Sequence, residues 1–421
     1  MAGGEADLVK DRASALQLVI VLGVVLLGHV SLVPNVADLD GFYHVGHARA
    51  YLEGSPFDTA LPWATRSIIG DIGGDLWWGF HVLLIPFAAL LDVPAAMQVS
   101  AAILTALLGL TMVGVLHRHG VSWSGIWAAL FLLAVPNVFF RFLMVRPHVV
   151  SLAASLALVS FLVKGRWWQI LLLSASIAWV HLSLFWIGPL LAVGYAVVRI
   201  PVTVFVGRDD PDRGVPIRQA VPAAFGGALL GWLLRPDALA TASLLNVQLV
   251  ELFAQKAVEQ PLTFAVELSP IHWAALLQSS GTFLAAWLVG LVLVLVAAGR
   301  GRLSELGQER TTLLAVGLSV SLVFLVLALV SARRGLEQWV AFAFLAFPVA
   351  ASALKPQDHP RWFRGAVGLA VVLHLGWFTE RHLRNREAVA FPVATLAPIA
   401  EHLEEHSEPD ELVFHARWDN F

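Results

Sequence analysis

Asp40, His44 and His47 stand at i, i+4 and i+7, so a helix running from Gly41 to Leu52 would bring all three to one face. A carboxylate on such a face can take a proton from an acceptor hydroxyl, or join other oxygens around a divalent cation. The plainer role for Asp38 or Asp40 is to cap that helix, since Asp is a favoured N-cap residue. Asp75 comes just ahead of an apolar run that carries His81. It reads either as a base or cation ligand facing Asp40, or as the cap of that run, with His81 a satisfied helix histidine. Glu267 sits in Val266-Glu-Leu-Ser-Pro270, within a polar stretch where an isolated Glu is ordinarily solvated. Arg333 and Arg334 fall where two apolar runs meet. Two guanidiniums there suit a phosphate or pyrophosphate; the alternative is snorkelling to a membrane surface. Arg141 and Arg146 read as membrane anchors, and His181 as a helix-to-helix hydrogen bond.

These residues have to be held by apolar elements. The 421-residue chain is 58% hydrophobic and only 14% charged, where a soluble domain carries about a quarter charged residues. That composition predicts an all-α polytopic membrane protein, and apolar runs long enough to span give about 11 transmembrane helices. The first is Ala15–Val33, preceded by Lys10 and Arg12 and without a small-residue cleavage site, so it reads as retained. The second run covers Trp78–Leu91, and the fourth Trp123–Leu143. The sixth starts at Trp167 and is kinked or split near Gly188-Pro189. Residues 1–379 form the membrane domain, with external loops at 34–77 and 235–281. Residues 380–421 form an extracytoplasmic segment, the start of a soluble domain or a short tail. Counting Lys and Arg in the loops places the N-terminus inside and both long loops outside. Arg118, Lys164, Arg166, Arg333 and Arg334 then lie on the outer side, against the trend. A net charge of −3 leaves no basic surface for nucleic acid, and the absence of Cys excludes disulfides and thiolate sites. No Walker A or dinucleotide glycine pattern is present, so a transferase of this kind would use a lipid-carried donor.

In this order the motifs resemble the GT-C superfamily of polytopic glycosyltransferases, in particular oligosaccharyltransferase catalytic subunits and their bacterial relatives. Asp40-Gly-Phe-Tyr-His44 is similar to the family's Asp-x-x-Tyr-His element after the first helix. Asp75 is placed like its second acidic motif, and Glu267 before Leu-Ser-Pro is similar to its external-loop Glu. Arg334, in Arg-Gly-Leu-Glu-Gln-Trp-Val, looks like the Arg that grips the donor phosphate. Trp418 and Asp419 match part of the family's Trp-Trp-Asp-Tyr-Gly motif, and the rest of that motif is absent.

The resemblance implies inverting transfer of a sugar from a polyprenyl phosphate or pyrophosphate to an extracytoplasmic protein, lipid or glycan, at a prokaryotic inner membrane. It implies Asp40, Asp75 and Glu267 as catalytic acids that share a Mg or Mn ion, and Arg333 and Arg334 as phosphate ligands. Asp38, His44, His81, Trp418 and Asp419 would support them. A transporter or lipid flippase, and a scaffold subunit without activity, are the rival expectations.

Overall fold

The structure, a computed structural model, describes residues 2–58, 72–206, 214–236, 238–255, 266–353, 361–395 and 397–406. It is 83% helical, without strands among the described residues. The only sheet-like pairing there is an isolated antiparallel bridge between Val36 and Phe391. The α-helices in chain order are α1 (Ala2–Val30), α2 (Asp40–Glu53), α3 (Trp78–Leu90), α4 (Val93–Arg118), α5 (Ser124–Leu132) and α6 (Pro136–Phe142). Next come α7 (Pro147–Val163), α8 (Trp167–Val180), α9 (Ile187–Val206), α10 (Ile217–Leu233), α11 (Ala238–Asn246) and α12 (Leu252–Gln255). The last five are α13 (Trp273–Gly299), α14 (Gly307–Val330), α15 (Gly335–Ala353), α16 (Arg361–Val389) and α17 (Ala397–His406). Trp418 and Asp419 lie outside the described residues.

Among the described residues five helices are long and apolar enough to cross a membrane, or seven if each of two bent pairs is one span. Several apolar runs counted as spans from sequence are shorter. The helix α3 has 13 residues and reaches about 20 Å at 1.5 Å per residue, against about 30 Å of hydrocarbon. Both of its ends meet α2. Arg49 of α2 donates to the Leu91 carbonyl at 2.9 Å, and Met97, one turn into α4, packs against Gly41. The run Trp123–Leu143 is broken too. Pro136 cannot continue α5, and α6 leaves at 98°. The sixth run splits at His181, ahead of the Gly188-Pro189 step expected to break it.

Elsewhere local chemistry explains the helices directly. Asp92 caps α4 by accepting the Ala95 N–H at 2.8 Å, with Pro94 in the first turn and His117 and Arg118 in the last. The helix α15 is apolar nearly all round and buried accordingly, with Trp339 fully enclosed. It packs on α14, while α8 packs on α7 and α10. At the end of the bundle reached by Arg118, Lys164 pairs with Glu309 at 3.4 Å and Arg310 donates to the His119 carbonyl at 2.9 Å. The opposite end holds the acidic residues singled out above.

Candidate functional site

Two polar centres form at that end, both fed by α2. The first gathers around Arg146, the residue just before α7. Its guanidinium meets Asp38 at 2.6 Å, Asp40 at 2.8 Å and Glu267 at 3.3 Å. Arg141, from α6, meets Glu267 at 2.8 Å and also pairs with the buried Glu337. Arg334 pairs with the other Glu267 oxygen. Backbone bonds bring these loops together: the Arg333 N–H donates to the Ser269 carbonyl at 2.9 Å, and that of Arg334 to the Glu267 carbonyl at 3.4 Å. Asp38 also accepts the Gly41 N–H at 3.1 Å, so it caps α2 while serving the cluster.

Beside this network lies a cavity of about 610 Å³. Five arginines line it among the described residues, Arg141, Arg146, Arg333, Arg334 and Arg381, against three carboxylates, Asp38, Glu267 and Glu337. Neither Arg333 nor Arg381 has a carboxylate partner among the described residues. Arg381 is delivered by α16, which docks on the end of α1 through His382 to Ser31 at 3.0 Å and Arg386 to the Ser31 carbonyl at 3.1 Å. The rest of the lining is largely apolar, including Phe140, Met144 and Ile271.

Charge divides the carboxylates by role. Burial raises the Asp40 carboxyl above its ordinary value; Arg146 pulls it down, while Asp38 and Glu267 push it up again. Burial pushes Glu267 up as well, but Arg334, Arg141 and Arg146 outweigh it and hold Glu267 well below the usual carboxylate range. Asp40 therefore takes up a proton more readily than Glu267, which is held ionised by its three arginines.

The second centre is closed. Asp75 is 3% exposed and His81 fully buried. The two meet at 2.6 Å through His81 Nδ1 and Asp75 Oδ2, and Tyr51 donates its hydroxyl to the same oxygen at 2.9 Å. Trp77 N–H donates to Asp75 Oδ1 at 2.8 Å, in the turn before α3. His81 Nε2 reaches His44 Nδ1 at 2.8 Å, and the His47 ring lies against His81 at 4.3 Å. Two features bring α3 in. Gly73 and Gly74, at φ 73° and 85°, turn the chain into Asp75. Gly79 passes so close to Trp179 that a Cβ would stand 2.3 Å from its carbonyl oxygen. Burial pushes Asp75 up, but His81, His47 and the Trp77 N–H outweigh it and lower it. Burial, then His81, lowers His47 to about 4, and His44 falls well below its usual value for the same reasons.

Asp38, Asp40, Glu267, Arg333 and Arg334 thus share one site, and Asp75, His44 and His81 form another. Tyr43 lies between them, raised by burial, then by Asp75 and Asp40. The carboxylates expected to share a cation do not converge. Asp75 is committed to the histidines, and a guanidinium already occupies the point where Asp38, Asp40 and Glu267 meet. That donor set does not fit a bound Mg or Mn ion. Sequence reasoning missed Arg141, Arg146, Glu337 and Arg381. The one local signal, for Arg141 and Arg146, is Arg146-Pro-His148 opening a helix five residues after another arginine. The chain matches no known protein-family model and no curated protein.

Proposed function

We propose that this multi-pass membrane protein is a glycosyltransferase of GT-C type that takes its sugar from a polyprenyl phosphate or pyrophosphate. The observation carrying this reading is the cavity: among the described residues guanidiniums outnumber carboxylates, two of them lack ion-pair partners, and the uncharged part of the lining is largely apolar. Such a space suits a phosphate attached to a long hydrocarbon. Asp40 removes the proton from the acceptor hydroxyl, whose oxygen attacks the anomeric carbon. The bond from that carbon to the donor phosphate breaks, and the phosphate leaves with the electron pair. Arg333, Arg334 and Arg381 stabilise the charge that develops there. Arg141, Arg146 and Glu267 hold Asp40 and Arg334 in place. No cation is needed in this scheme.

The far end of the bundle supports an orientation with the N-terminus inside and the cavity outside, at a prokaryotic inner membrane. If α3 does not cross while α8 and α9 each do, Arg118, Lys164 and Arg166 lie on the same side as the N-terminus and as Arg300, Arg302 and Arg310. Most of the sequence's exceptions to the positive-inside rule then disappear. Purified protein incubated with radiolabelled polyprenyl-linked sugar and cell-envelope acceptors should transfer label, and Asp40→Asn should abolish transfer. Donor-stimulated lipid flux in liposomes without any transfer would instead identify a flippase. Full biological activity retained by Asp40→Asn would identify a scaffold.

A further inference from the structure

The buried centre around Asp75 contains more than a satisfied carboxylate needs. Two groups bond one oxygen, Oδ2, His81 Nδ1 at 2.6 Å and the Tyr51 hydroxyl at 2.9 Å, and His47 Nε2 stands 3.9 Å from it. The other oxygen has the Trp77 N–H. One ligand atom each from His47, Asp75 and His81 lies within 4.8 Å of the other two, and all three side chains are at most 1% exposed.

We propose that His47, His81 and Asp75 form a binding site for a borderline transition-metal ion of the zinc type, distinct from the arginine-lined cavity. Around a tetrahedral zinc with bonds of about 2.0–2.1 Å, neighbouring ligand atoms stand about 3.3 Å apart. The observed 2.6 Å and 3.9 Å lie on either side of that spacing, so a small withdrawal of His81 and a turn of the His47 ring reach it. Two imidazoles and a single carboxylate favour zinc, cobalt or iron over magnesium or calcium, which prefer all-oxygen sites.

The surroundings are those of ligating side chains. A metal-bound histidine ordinarily gives its other ring N–H to a fixed acceptor. His81 Nε2 has His44 Nδ1 for this at 2.8 Å. Without metal, His81 donates from Nδ1 to Asp75, and His44 donates from Nδ1 to His81 Nε2. On binding, the metal takes His81 Nδ1, the His81 proton moves to Nε2 and points at His44 Nδ1, and the His44 proton moves to its own Nε2. Each imidazole keeps one proton throughout, so the rearrangement balances without releasing any. Tyr51 and the Trp77 N–H orient the carboxylate meanwhile.

The test uses the full chain in detergent, stripped with a chelator and titrated with Zn²⁺ or Co²⁺ alone by calorimetry and elemental analysis. One equivalent per chain is expected, with His47→Ala weakening it by more than about 100-fold and His44→Ala by about 10–100-fold. Less than about a tenth of an equivalent in the wild type, or wild-type affinity in a folded His47→Ala, would overturn the proposal; a site of this kind holds one ion. X-ray absorption of the Co²⁺-loaded wild type needs no variant. Two imidazole ligands are expected there, and an all-oxygen shell overturns the proposal equally. Asp40→Asn should retain the metal while losing transfer, so failure here and failure of the transferase reading are separable.

Discussion

The two polar centres draw on the same helix but handle charge in opposite ways. Beside the cavity, whose lining arginines outnumber its carboxylates, α2 contributes Asp40 to an ion-pair network, and Asp40 stays partly exposed, at 34% for its side chain. One turn further on, His44, His47 and Tyr51 enter a closed cluster where Asp75 is matched by the buried Tyr51 hydroxyl and His81 ring and little space is left. Surplus positive charge beside open volume calls for an anion from outside. A closed set of nitrogen and oxygen donors calls for nothing larger than an ion. The difference predicts which substitutions affect chemistry and which affect the fold.

The largest effect should come from Asp40→Asn, which removes the proposed base while keeping its shape. A loss of about 10²–10⁴-fold in kcat is expected, with donor KM nearly unchanged. Its stability should move the other way. The Asp40 pKa is raised in the fold, so its contribution to stability is present below the unfolded value of 3.8 and lost as pH rises through the folded value. Asp40→Asn should therefore unfold at a slightly higher temperature at neutral pH. The acid limb of the rate profile should lie above 3.8, and Asp38→Asn should move it down by removing a neighbouring negative charge. Glu267 behaves oppositely. Its pKa is lowered, so its stabilisation is complete above 4.5 and lost as pH falls through the folded value. Thermal unfolding against pH separates the two.

Next is Arg146→Ala, which strands Asp38, Asp40 and Glu267 together. Removing one side of a buried ion network costs about 3–5 kcal/mol, measurable by denaturant unfolding in detergent. Arg146→Lys should recover only part, because an ammonium cannot reproduce the guanidinium fork. An unchanged unfolding midpoint for Arg146→Ala would remove the distinction between the centres, since the cavity would then not depend on its charges.

Arg146 also marks the limit of what the sequence discloses. The helical fold and most helix positions follow from apolar runs and their breaks, because those signals are local. Asp40 and Arg334 stand out because acids and paired arginines are costly beside hydrocarbon, whereas Glu267, in a polar stretch, carries no such signal. An arginine at a helix end, by contrast, looks the same whether it meets lipid phosphate or a buried carboxylate. Arg141 and Arg146 therefore read as anchors, and only the approach of distant loops shows otherwise. Asp75 is the converse case. Its place before an apolar run is equally consistent with facing Asp40 or with capping α3; the bonds from Tyr51 and His81 exclude the first, and the Trp77 N–H keeps part of the second. The pairing of α3 with α2 is hidden too, since apolarity does not disclose which neighbour a helix packs against.

Smaller effects separate binding from architecture. Arg333→Ala and Arg381→Ala should each weaken donor binding by about 10–100-fold, the worth of one charge-assisted hydrogen bond, and leave unfolding nearly unchanged. Asp75→Asn should do the reverse. It costs about 1–3 kcal/mol of stability by unbalancing Tyr51 and His81, while a polyprenyl-phosphate titration stays at the wild-type value. If Asp75→Asn weakened the donor as much as Arg381→Ala does, the two centres would be one site.

The smallest change belongs to Lys164 at the far end of the bundle. Its pair with Glu309 is 3.4 Å long, but Lys164 is 49% exposed, so solvent screens the attraction. Lys164→Cys should cost less than about 1 kcal/mol and leave both transfer and metal binding intact. The chain has no cysteine, so the new thiol reports alone. With the cavity outside, a membrane-impermeant maleimide should label Lys164→Cys only after the cells are opened. Phe57→Cys, 73% exposed beside the buried cluster, should be labelled in intact cells. The opposite pattern would reverse the orientation. Labelling of both in intact cells would mean that α4, which joins the two ends through 26 residues, does not cross the membrane.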